Sequence, residues 1–390
     1  MELNSIVKNL KYSVIREIND LAKEHEGVIQ LTIGEPDIQS PKALVDEVLE
    51  YGKSAHLTYP PTGGGVEVRE KVAQYYNETY GSDYRESNVI MNIGSSEALS
   101  SVLRTILNPG DEVIIPAPYY PGYIPMIEMA YGVPVVVDTA ENNFVLTPEI
   151  LESYVGEKTK AILLSNPSNP AGTVMSREEV ERLADYLQDK NIFLISDEIY
   201  SALSFEDFFS FGACKNIREK LIIVNGFSKS HSLTGWRIGY TIAPEKIRKF
   251  FLNATLYNVS APMALSLQAA KIALEKFPCR KEISEIYRER AYYLRDRLNS
   301  LGFQVVDPKG AFYLFVGYSG ISEKNSLDFC LELLRETGVA VVPGIAFGSE
   351  KYFRIALTQE LPILREVVER LEKFLKKIDL TRSNYEKFLP

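Results

Sequence analysis

Leu221-Ile222-Ile223-Val224-Asn225-Gly226-Phe227-Ser228-Lys229 is the stretch of this 390-residue chain from which its fold and its chemistry are best read. The apolar run at 221–224 predicts a buried strand, and Lys229 follows shortly after its end. Most lysines are solvated in loops. A lysine at the mouth of a parallel strand can instead lose its proton easily, and a neutral amine condenses with an aldehyde to form a Schiff base. Lys229 is therefore a candidate nucleophile.

The residues around Lys229 suit a dianionic phosphate. Ser228 offers a hydroxyl group and Arg237 a planar guanidinium fork. Gly226 and Gly235 allow the backbone to turn tightly around such a ligand. An aldehyde that also carries a phosphate fits this segment, because Lys229 can react with the aldehyde while Ser228 and Arg237 hold the phosphate. Pyridoxal 5'-phosphate (PLP) is the obvious compound of this kind.

Outward from this stretch, short apolar runs alternate with helical patterns. One helix is predicted over 97–107 and another over 177–188, the latter opened by a capping box of Ser176 and Glu179. This alternation predicts an α/β fold whose large domain holds a mainly parallel seven-stranded sheet covered by helices. The predicted strands are 89–93, 112–115, 133–137, 161–164, 193–195, 221–224 and 238–243.

The pattern changes after about residue 281, where a long charged helix is predicted over 285–300. Shorter strand-like segments follow at 311–316, 339–342 and 352–357. Ile15, Ile18 and Leu21 recur at helical spacing near the N-terminus, so both chain ends are expected in one smaller α/β domain. We predict an N-terminal segment (1–39) that packs with the small domain, a large cofactor-binding domain (40–284) and a small C-terminal domain (285–390).

Polar residues leave several of the predicted strands, and ligands of parallel sheets gather at that edge. Ser95 and Ser96 open a helix whose N-terminus could receive a phosphate, although plain capping is the commoner reason for such residues. Asp197 could pair with a pyridine nitrogen or simply cap a turn, and Tyr200 lies three residues further on. Asn169, held in a double Asn-Pro turn, could point its amide into a cavity.

Two further segments leave alternatives open. Tyr120 belongs to the aromatic string at 118–123, which could stack on a flat ring or fill the core. Arg354 lies inside an apolar strand, and a guanidinium is seldom buried without an anion. Its partner could be a structural aspartate or a substrate carboxylate.

Composition and charge point to small-molecule chemistry. The formal net charge of -9 disfavours a nucleic-acid surface. Three scattered cysteines fit reduced thiols, and three histidines without ligand spacing predict no metal site. Neither a signal peptide nor a membrane span is recognisable, so a cytoplasmic protein without membrane partners is expected.

Taken together, the motifs resemble the class I aminotransferases of PLP fold type I, the superfamily of aspartate and aromatic aminotransferases. The resemblance spans nearly the whole chain. It is carried by the Lys229 segment with 234–240, by the double Asn-Pro turn at 166–170 and by Ser196-Asp197-Glu198-Ile199-Tyr200, which occur in the expected order. Within the superfamily the sequence is most similar to bacterial N-acetyl-LL-diaminopimelate aminotransferases of lysine synthesis.

The resemblance implies a role for each motif residue. Lys229 becomes the Schiff-base lysine and proton shuttle, Asp197 the partner of the pyridine nitrogen, and Tyr200 and Asn169 the donors to the phenolic oxygen of PLP. Tyr120 would stack on the ring. The phosphate would be held by Ser95, Ser96, Ser228, Arg237 and Tyr59.

The resemblance also implies an assembly and a substrate site. In relatives the tyrosine that matches Tyr59 reaches across from the partner subunit, so a homodimer with shared active sites is expected. Arg354 would bind the substrate α-carboxylate, assisted by Asn169 and the backbone at Gly34.

The implied activity is transfer of an amino group from an L-amino acid to a 2-oxo acid such as 2-oxoglutarate, in two half-reactions. Some aspartate-specific relatives carry a distal arginine just before the segment matching 260–262, but here 254–259 reads Ala-Thr-Leu-Tyr-Asn-Val. A carbon-sulfur β-lyase is the alternative, because both reactions begin from the same carbanion. A non-catalytic PLP-binding regulator is disfavoured because no DNA-binding extension is recognisable.

Overall fold

The computed structural model describes residues 1–10, 13–278 and 280–386, so that Cys279, one of the three predicted thiols, lies outside the described residues. The other two, Cys214 and Cys330, are buried and free. The strands are β1 (Ile29–Gln30), β2 (Val89–Asn92), β3 (Glu112–Ala117), β4 (Val133–Asp138), β5 (Thr159–Ser165), β6 (Phe193–Asp197), β7 (Leu221–Gly226), β8 (Gly239–Ile242), β9 (Gln304–Val305), β10 (Tyr313–Gly317), β11 (Val339–Ala340), β12 (Val342–Pro343) and β13 (Tyr352–Ala356).

Helices separate most of these strands. They are α1 (Ser5–Asn9), α2 (Val14–Lys23), α3 (Lys42–Ser54), α4 (Val66–Tyr80), α5 (Gly94–Ile106), α6 (Tyr123–Met129), α7 (Pro148–Glu152), α8 (Arg177–Leu187), α9 (Phe227–Ser230), α10 (Glu245–Val259), α11 (Ala264–Lys276), α12 (Lys281–Ser300), α13 (Ser326–Thr337) and α14 (Leu361–Glu386).

Seven strands form the main sheet in the order β2-β8-β7-β6-β5-β3-β4. The pairs among β3, β4, β5, β6 and β7 are parallel, and β8 runs antiparallel to both β2 and β7. The prediction of a mainly parallel seven-stranded sheet is therefore confirmed.

Both faces of this sheet are covered, as the unbroken apolar runs predicted. Along β7, Leu221 and Ile223 pack into one hydrophobic cluster, whereas Ile222 and Val224 pack into the cluster on the opposite face. Successive strand residues point to opposite faces, so a strand buried on both sides needs apolar residues at every position. Because both faces are covered, a ligand can approach this sheet at the carboxyl ends of its parallel strands.

Several predicted bounds need correction. Helix α5 begins at Gly94 rather than at residue 97, and α12 begins at Lys281 rather than at 285. The extra first turn of α5 holds the small residues Gly94, Ser95 and Ser96, and that of α12 holds Ile283 as its single apolar residue, which is too little for an apolar pattern to extend either helix. The strand predicted over 339–342 is two strands, because β11 pairs with β1 whereas β12 pairs with β13. The predicted capping box of Ser176 and Glu179 is present at the start of α8.

A second, four-stranded sheet has the order β12-β13-β10-β9. Near it, Ile18 and Ala22 of α2 pack with Leu334 and Ala340, so a segment from the start of the chain contacts elements from its end. The division of the chain at residues 39/40 and 284/285 stays a prediction. Within the described ranges, no helix combines the length and the apolar character that a membrane crossing requires.

Candidate active site

A cavity of about 550 Å³ lies at the carboxyl edge of the main sheet. Ligand sites of small molecules have this size, and open parallel sheets place them at this edge. Eleven of the twelve predicted site residues line it: Gly34, Ser95, Ser96, Tyr120, Asn169, Asp197, Tyr200, Ser228, Lys229, Arg237 and Arg354.

Lys229 lies in the short helix α9, which follows β7 directly. Its Nζ donates a hydrogen bond of 2.6 Å to the backbone carbonyl of Gly34. Burial lowers the pKa of Lys229 to about 8, and the nearby Arg354 and Arg237 act in the same direction, while Glu35 and Asp197 oppose them. A larger share of this amine is therefore neutral near neutral pH than of an ordinary lysine.

Asp197 is the last residue of β6 and is buried. Its carboxylate accepts a 2.8 Å hydrogen bond from the hydroxyl of Tyr123 and a 3.3 Å bond from the backbone N–H of Ile199. Burial raises the pKa of Asp197 to about 6, although these two hydrogen bonds and the neighbouring Lys229 act against the rise. The arrangement fixes the carboxylate at the cavity wall, where it can face a cationic ligand atom.

The hydroxyl of Tyr200 is shared between two neighbours. It lies 3.0 Å from the hydroxyl of Tyr313, and the Asn169 amide donates to it over a long 3.5 Å. Tyr200 and Asn169 are both buried, so that these polar atoms meet inside the protein. The structure thus brings together Tyr200 and Asn169, the two residues that the resemblance assigns as donors to the phenolic oxygen of PLP.

Arg354 of β13 is a buried guanidinium. It donates to the Asn169 side-chain oxygen at 3.0 Å and to the carbonyl of Thr32 at 2.7 Å, whereas its Nε has no partner in the part of the chain that the structure describes. Its guanidinium also lies over the ring of Tyr313, 4.4 Å from the centroid. Among the residues that the structure describes, no carboxylate forms an ion pair with it. The structural-aspartate alternative for Arg354 therefore finds no support in the described chain.

Another part of the cavity wall is concave and positively charged. Helix α5 starts at this wall with Gly94, Ser95 and Ser96. Its N-cap residue Ile93 provides no side-chain cap, and the Glu97 carboxylate accepts a 3.2 Å hydrogen bond from the backbone N–H of Ile93. A Cβ atom built on Gly94 would lie 2.7 Å from the Arg237 guanidinium, so a side chain at this position would push the guanidinium aside. Arg237 itself has φ 49°, a left-handed conformation that non-glycine residues adopt at a cost. Free N–H groups, a guanidinium and the buried Ser228 together suit an anion.

The two predicted tyrosines Tyr59 and Tyr120 differ in their positions. Tyr59 does not line the cavity, and its side chain is 92% exposed. Tyr120 lines the cavity and makes an edge contact with Tyr123, at 5.4 Å between ring centroids. Burial raises the pKa of Tyr120, as expected for a hydroxyl in this setting.

Sequence reasoning missed three groups that hold the site residues. Tyr123 belongs to the aromatic string at 118–123, so a search for a donor to Asp197 could have found it. Tyr313 and Thr32 carry no sequence signal, because they reach the site only through the packing of distant segments. Within the described ranges no cluster of three or more His, Cys, Asp or Glu side chains could hold a metal ion.

Residues 26–371 match the family Aminotransferase class I and II. The chain is 40% identical over 382 residues to the Bacillus subtilis (strain 168) protein named "probable N-acetyl-LL-diaminopimelate aminotransferase", covering 96% of each chain. It superimposes with a TM-score of 0.90 on the aspartate aminotransferase of Thermotoga maritima, at 34% identity, covering 96% of this chain and 100% of that one. The aspartate aminotransferase of Thermus thermophilus with maleate gives a TM-score of 0.90 at 32% identity, covering 96% and 99%.

The chain belongs to the class I and II aminotransferases. It is an enzyme of the transaminase type, acting on an amino acid and a 2-oxo acid, and its fold is that of the aspartate aminotransferases. PLP is the cofactor of this family. These findings confirm the predicted resemblance, fold and reaction class.

Proposed function

We propose that this chain binds PLP in the Lys229 cavity and transfers an amino group from N-acetyl-LL-diaminopimelate to 2-oxoglutarate. One observation carries the proposal: a half-buried lysine with a lowered pKa lies in a cavity with a buried carboxylate, Asp197, and a buried guanidinium, Arg354, that has no ion-pair partner among the described residues. An amine, an anion and a cation in one cavity are the groups that transamination requires.

The cavity fits PLP at both of its polar ends. Ser95, Ser96, Ser228 and Arg237 would hold the phosphate, since the close approach of Gly94 to Arg237 leaves a concave wall of donors. Asp197 would face the pyridine nitrogen, and its negative charge favours the protonated form of that nitrogen. Tyr200 and Asn169 would hold the phenolic oxygen, and Tyr120 would pack against the ring.

When bound, PLP supplies an aldehyde for the amino group and an electron-withdrawing ring that stabilises negative charge on the substrate α-carbon. Lys229 would form the covalent link to that aldehyde and, once released by the substrate, carry the proton at its Nζ atom. The backbone carbonyl of Gly34 accepts a hydrogen bond from Nζ and so stabilises the ammonium form of Lys229.

Arg354 would bind the α-carboxylate of the substrate. Its Nε has no hydrogen-bond partner in the described ranges, and its fork is already oriented by Asn169 and Thr32, so a carboxylate needs no rearrangement of the arginine. A solved relative was crystallised with maleate, a dicarboxylate, which agrees with carboxylate binding in this fold.

The donor is proposed from the 40% identity to the Bacillus subtilis protein and from the segment 254–259, which has no arginine. We also propose that two copies of this chain form a homodimer. Exposed apolar side chains occur in two segments, 57–66 and 250–263, and these segments meet where Gly63 lies against Leu252 of α10. This apolar face is defined by Leu57, Tyr59, Val66, Phe250, Leu256, Tyr257 and Met263.

A panel of amino donors with 2-oxoglutarate tests the proposal. We expect glutamate to form fastest with N-acetyl-LL-diaminopimelate, and Lys229→Ala to abolish multiple turnover while Lys376→Ala, an exposed lysine of α14, leaves it unchanged. Multiple turnover by Lys229→Ala would refute the site, whereas a faster reaction with aspartate or an aromatic donor would change only the substrate. Release of pyruvate from a sulfur amino acid without a 2-oxo acid would favour the β-lyase.

A further inference from the structure

Glu198 is a fully buried carboxyl group next to Asp197, and it does not line the cavity. Its oxygens accept hydrogen bonds from three hydroxyl groups: Tyr76, Ser196 at 3.0 Å and Ser210 at 2.7 Å. Among the described residues no cation pairs with it. Burial raises the pKa of Glu198 to about 7, with the three hydroxyl bonds acting in the opposite direction.

Stability alone does not account for this group. A carboxyl buried without a cation costs folding free energy, and an apolar side chain of similar size would avoid that cost. A fully satisfied buried polar network, however, allows only one arrangement of the segments that it joins.

The network joins the two turns on which the proposed chemistry depends. The backbone N–H of Glu198 donates to the Val224 carbonyl at 2.8 Å, so that the turn after β6 is held to β7. The Asn225 amide donates to Ser201 at 3.1 Å and lies 3.5 Å from the Tyr76 hydroxyl. The Asn225 side-chain oxygen accepts from the backbone N–H of Gly226 at 2.7 Å, three residues before Lys229.

We propose that Glu198 is a positioning residue for transamination: with Tyr76 and Asn225 it fixes the turn of Asp197 and Tyr200 relative to the turn of Lys229. This inference rests on the proposed roles of Asp197 and Lys229. In this role Glu198 contacts neither PLP nor the substrate.

Two variants test the network with little change in shape. Glu198→Gln removes the carboxylate, and Tyr76→Phe removes the hydroxyl on its far side. In the PLP-loaded enzyme we expect each to lower kcat by about tenfold or more while the donor KM stays within about threefold. We also expect the pH midpoint of the visible PLP absorbance to move, because that midpoint reports the surroundings of Lys229. The double variant should lose little more than either single one, since both act through one network.

Tyr318→Phe is the matched control. Tyr318 is also fully buried, and its hydroxyl donates to the Lys324 carbonyl at 3.0 Å, far from β6 and β7 in the chain. We expect a lower melting temperature for this variant but an unchanged kcat and absorbance midpoint. If Glu198→Gln retains kcat within about twofold and an unmoved midpoint at full PLP occupancy, the positioning role is excluded. Equal losses of kcat in Tyr318→Phe would exclude it too.

Borohydride labelling separates this inference from the proposed function. A pyridoxyl group on Lys229 in both the parent and Glu198→Gln, with kcat lost only in the variant, supports positioning. Absence of the label from Lys229 in the parent enzyme would instead overturn the proposed function itself. If Glu198→Gln does not fold, Tyr76→Phe carries the same comparison.

Discussion

At the scale of single residues, burial has moved two pKa values toward each other. The pKa of Lys229 falls to about 8 and that of Asp197 rises to about 6. Both groups lose solvation at the wall of the cavity, and desolvation disfavours whichever form is charged. Between these two pH values the carboxylate is mostly ionised and the amine mostly protonated, although neither by the margin of a solvated residue.

The lowered pKa predicts how Lys229 reacts in the cofactor-free protein. An ordinary lysine becomes neutral only as the pH passes about 10.4, whereas Lys229 should become neutral as the pH passes about 8. The rate of its modification by trinitrobenzenesulfonate, followed by peptide mass, should therefore rise with a midpoint near pH 8. A midpoint for Lys229 near the ordinary lysine value of about 10.4 would contradict the assignment.

Arg354→Lys keeps the positive charge but loses the planar fork. We expect the KM of the amino donor to rise by about tenfold or more, about 1.4 kcal/mol, with PLP affinity nearly unchanged. Steady-state kinetics and PLP titration measure the two quantities.

The control for this variant is Arg290→Lys. Arg290 is another buried arginine, but it pairs with Asp37 at 2.9 Å. It should lose stability rather than substrate affinity. Equal changes of KM in both variants would place the carboxylate site elsewhere.

Much of the cavity could be predicted at this scale, because most of the predicted residues lie at or just after the end of an apolar run that forms a strand, whereas Arg354 lies within one. The chain order supplies that information for Asp197, Lys229 and Asn169. It supplies nothing for Tyr313 or Thr32, which meet Arg354 and Tyr200 only after distant segments pack together. The roles of all these residues as ligands remain predictions.

At the scale of elements, the start of α5 is a position where steric requirements are strict. Gly94 has φ +74° and its missing side chain leaves room for the Arg237 guanidinium. Gly94→Ala should displace that guanidinium and weaken PLP binding by about tenfold, since a charge-assisted hydrogen bond contributes about 1.5–3 kcal/mol. Equilibrium titration with PLP measures the loss.

Gly81, the C-cap of α4, supplies the matched control. It also has a positive φ, +69°, but a Cβ atom there would meet nothing within 4 Å. Gly81→Ala should carry a similar backbone strain, lower the melting temperature and leave PLP affinity intact. A comparable loss of PLP affinity in both variants would attribute the effect of Gly94→Ala to strain alone.

The elements of the main sheet were predictable because buried parallel strands are apolar throughout. The split between β11 and β12 was not, since 339–342 is one apolar run whose halves pair with strands from opposite ends of the chain. Pairing partners are set by long-range packing, and a local pattern does not contain them.

At the scale of the whole molecule, the apolar face around Tyr59 is the surface that the homodimer proposal needs. A hybrid dimer tests whether the tyrosine acts across it. In a mixture of Lys229→Ala and Tyr59→Phe subunits, one site of the heterodimer has an intact Lys229 and receives Tyr59 from the partner. We expect that site to recover the PLP affinity that the Tyr59→Phe homodimer loses.

Titration of the purified heterodimer with PLP gives the answer, with both homodimers as references. An unchanged Tyr59→Phe defect in the heterodimer would mean that the tyrosine serves its own chain. Dilution of the parent protein to monomers should also lower activity and PLP affinity together.

The guanidinium of Arg354, which forms no ion pair within the described part of the chain, makes the thermal behaviour of the protein depend on its buffer. A buried charge without a counter-ion destabilises the fold, and an anion that binds only the folded state restores stability by an amount that rises with the logarithm of its concentration once that exceeds Kd. Acetate, formate or citrate should therefore raise the melting temperature and compete with the amino donor, whereas chloride at equal ionic strength should do less. Arg354→Met should melt higher than the parent in chloride and no longer respond to acetate, at the cost of the activity that the charge supports.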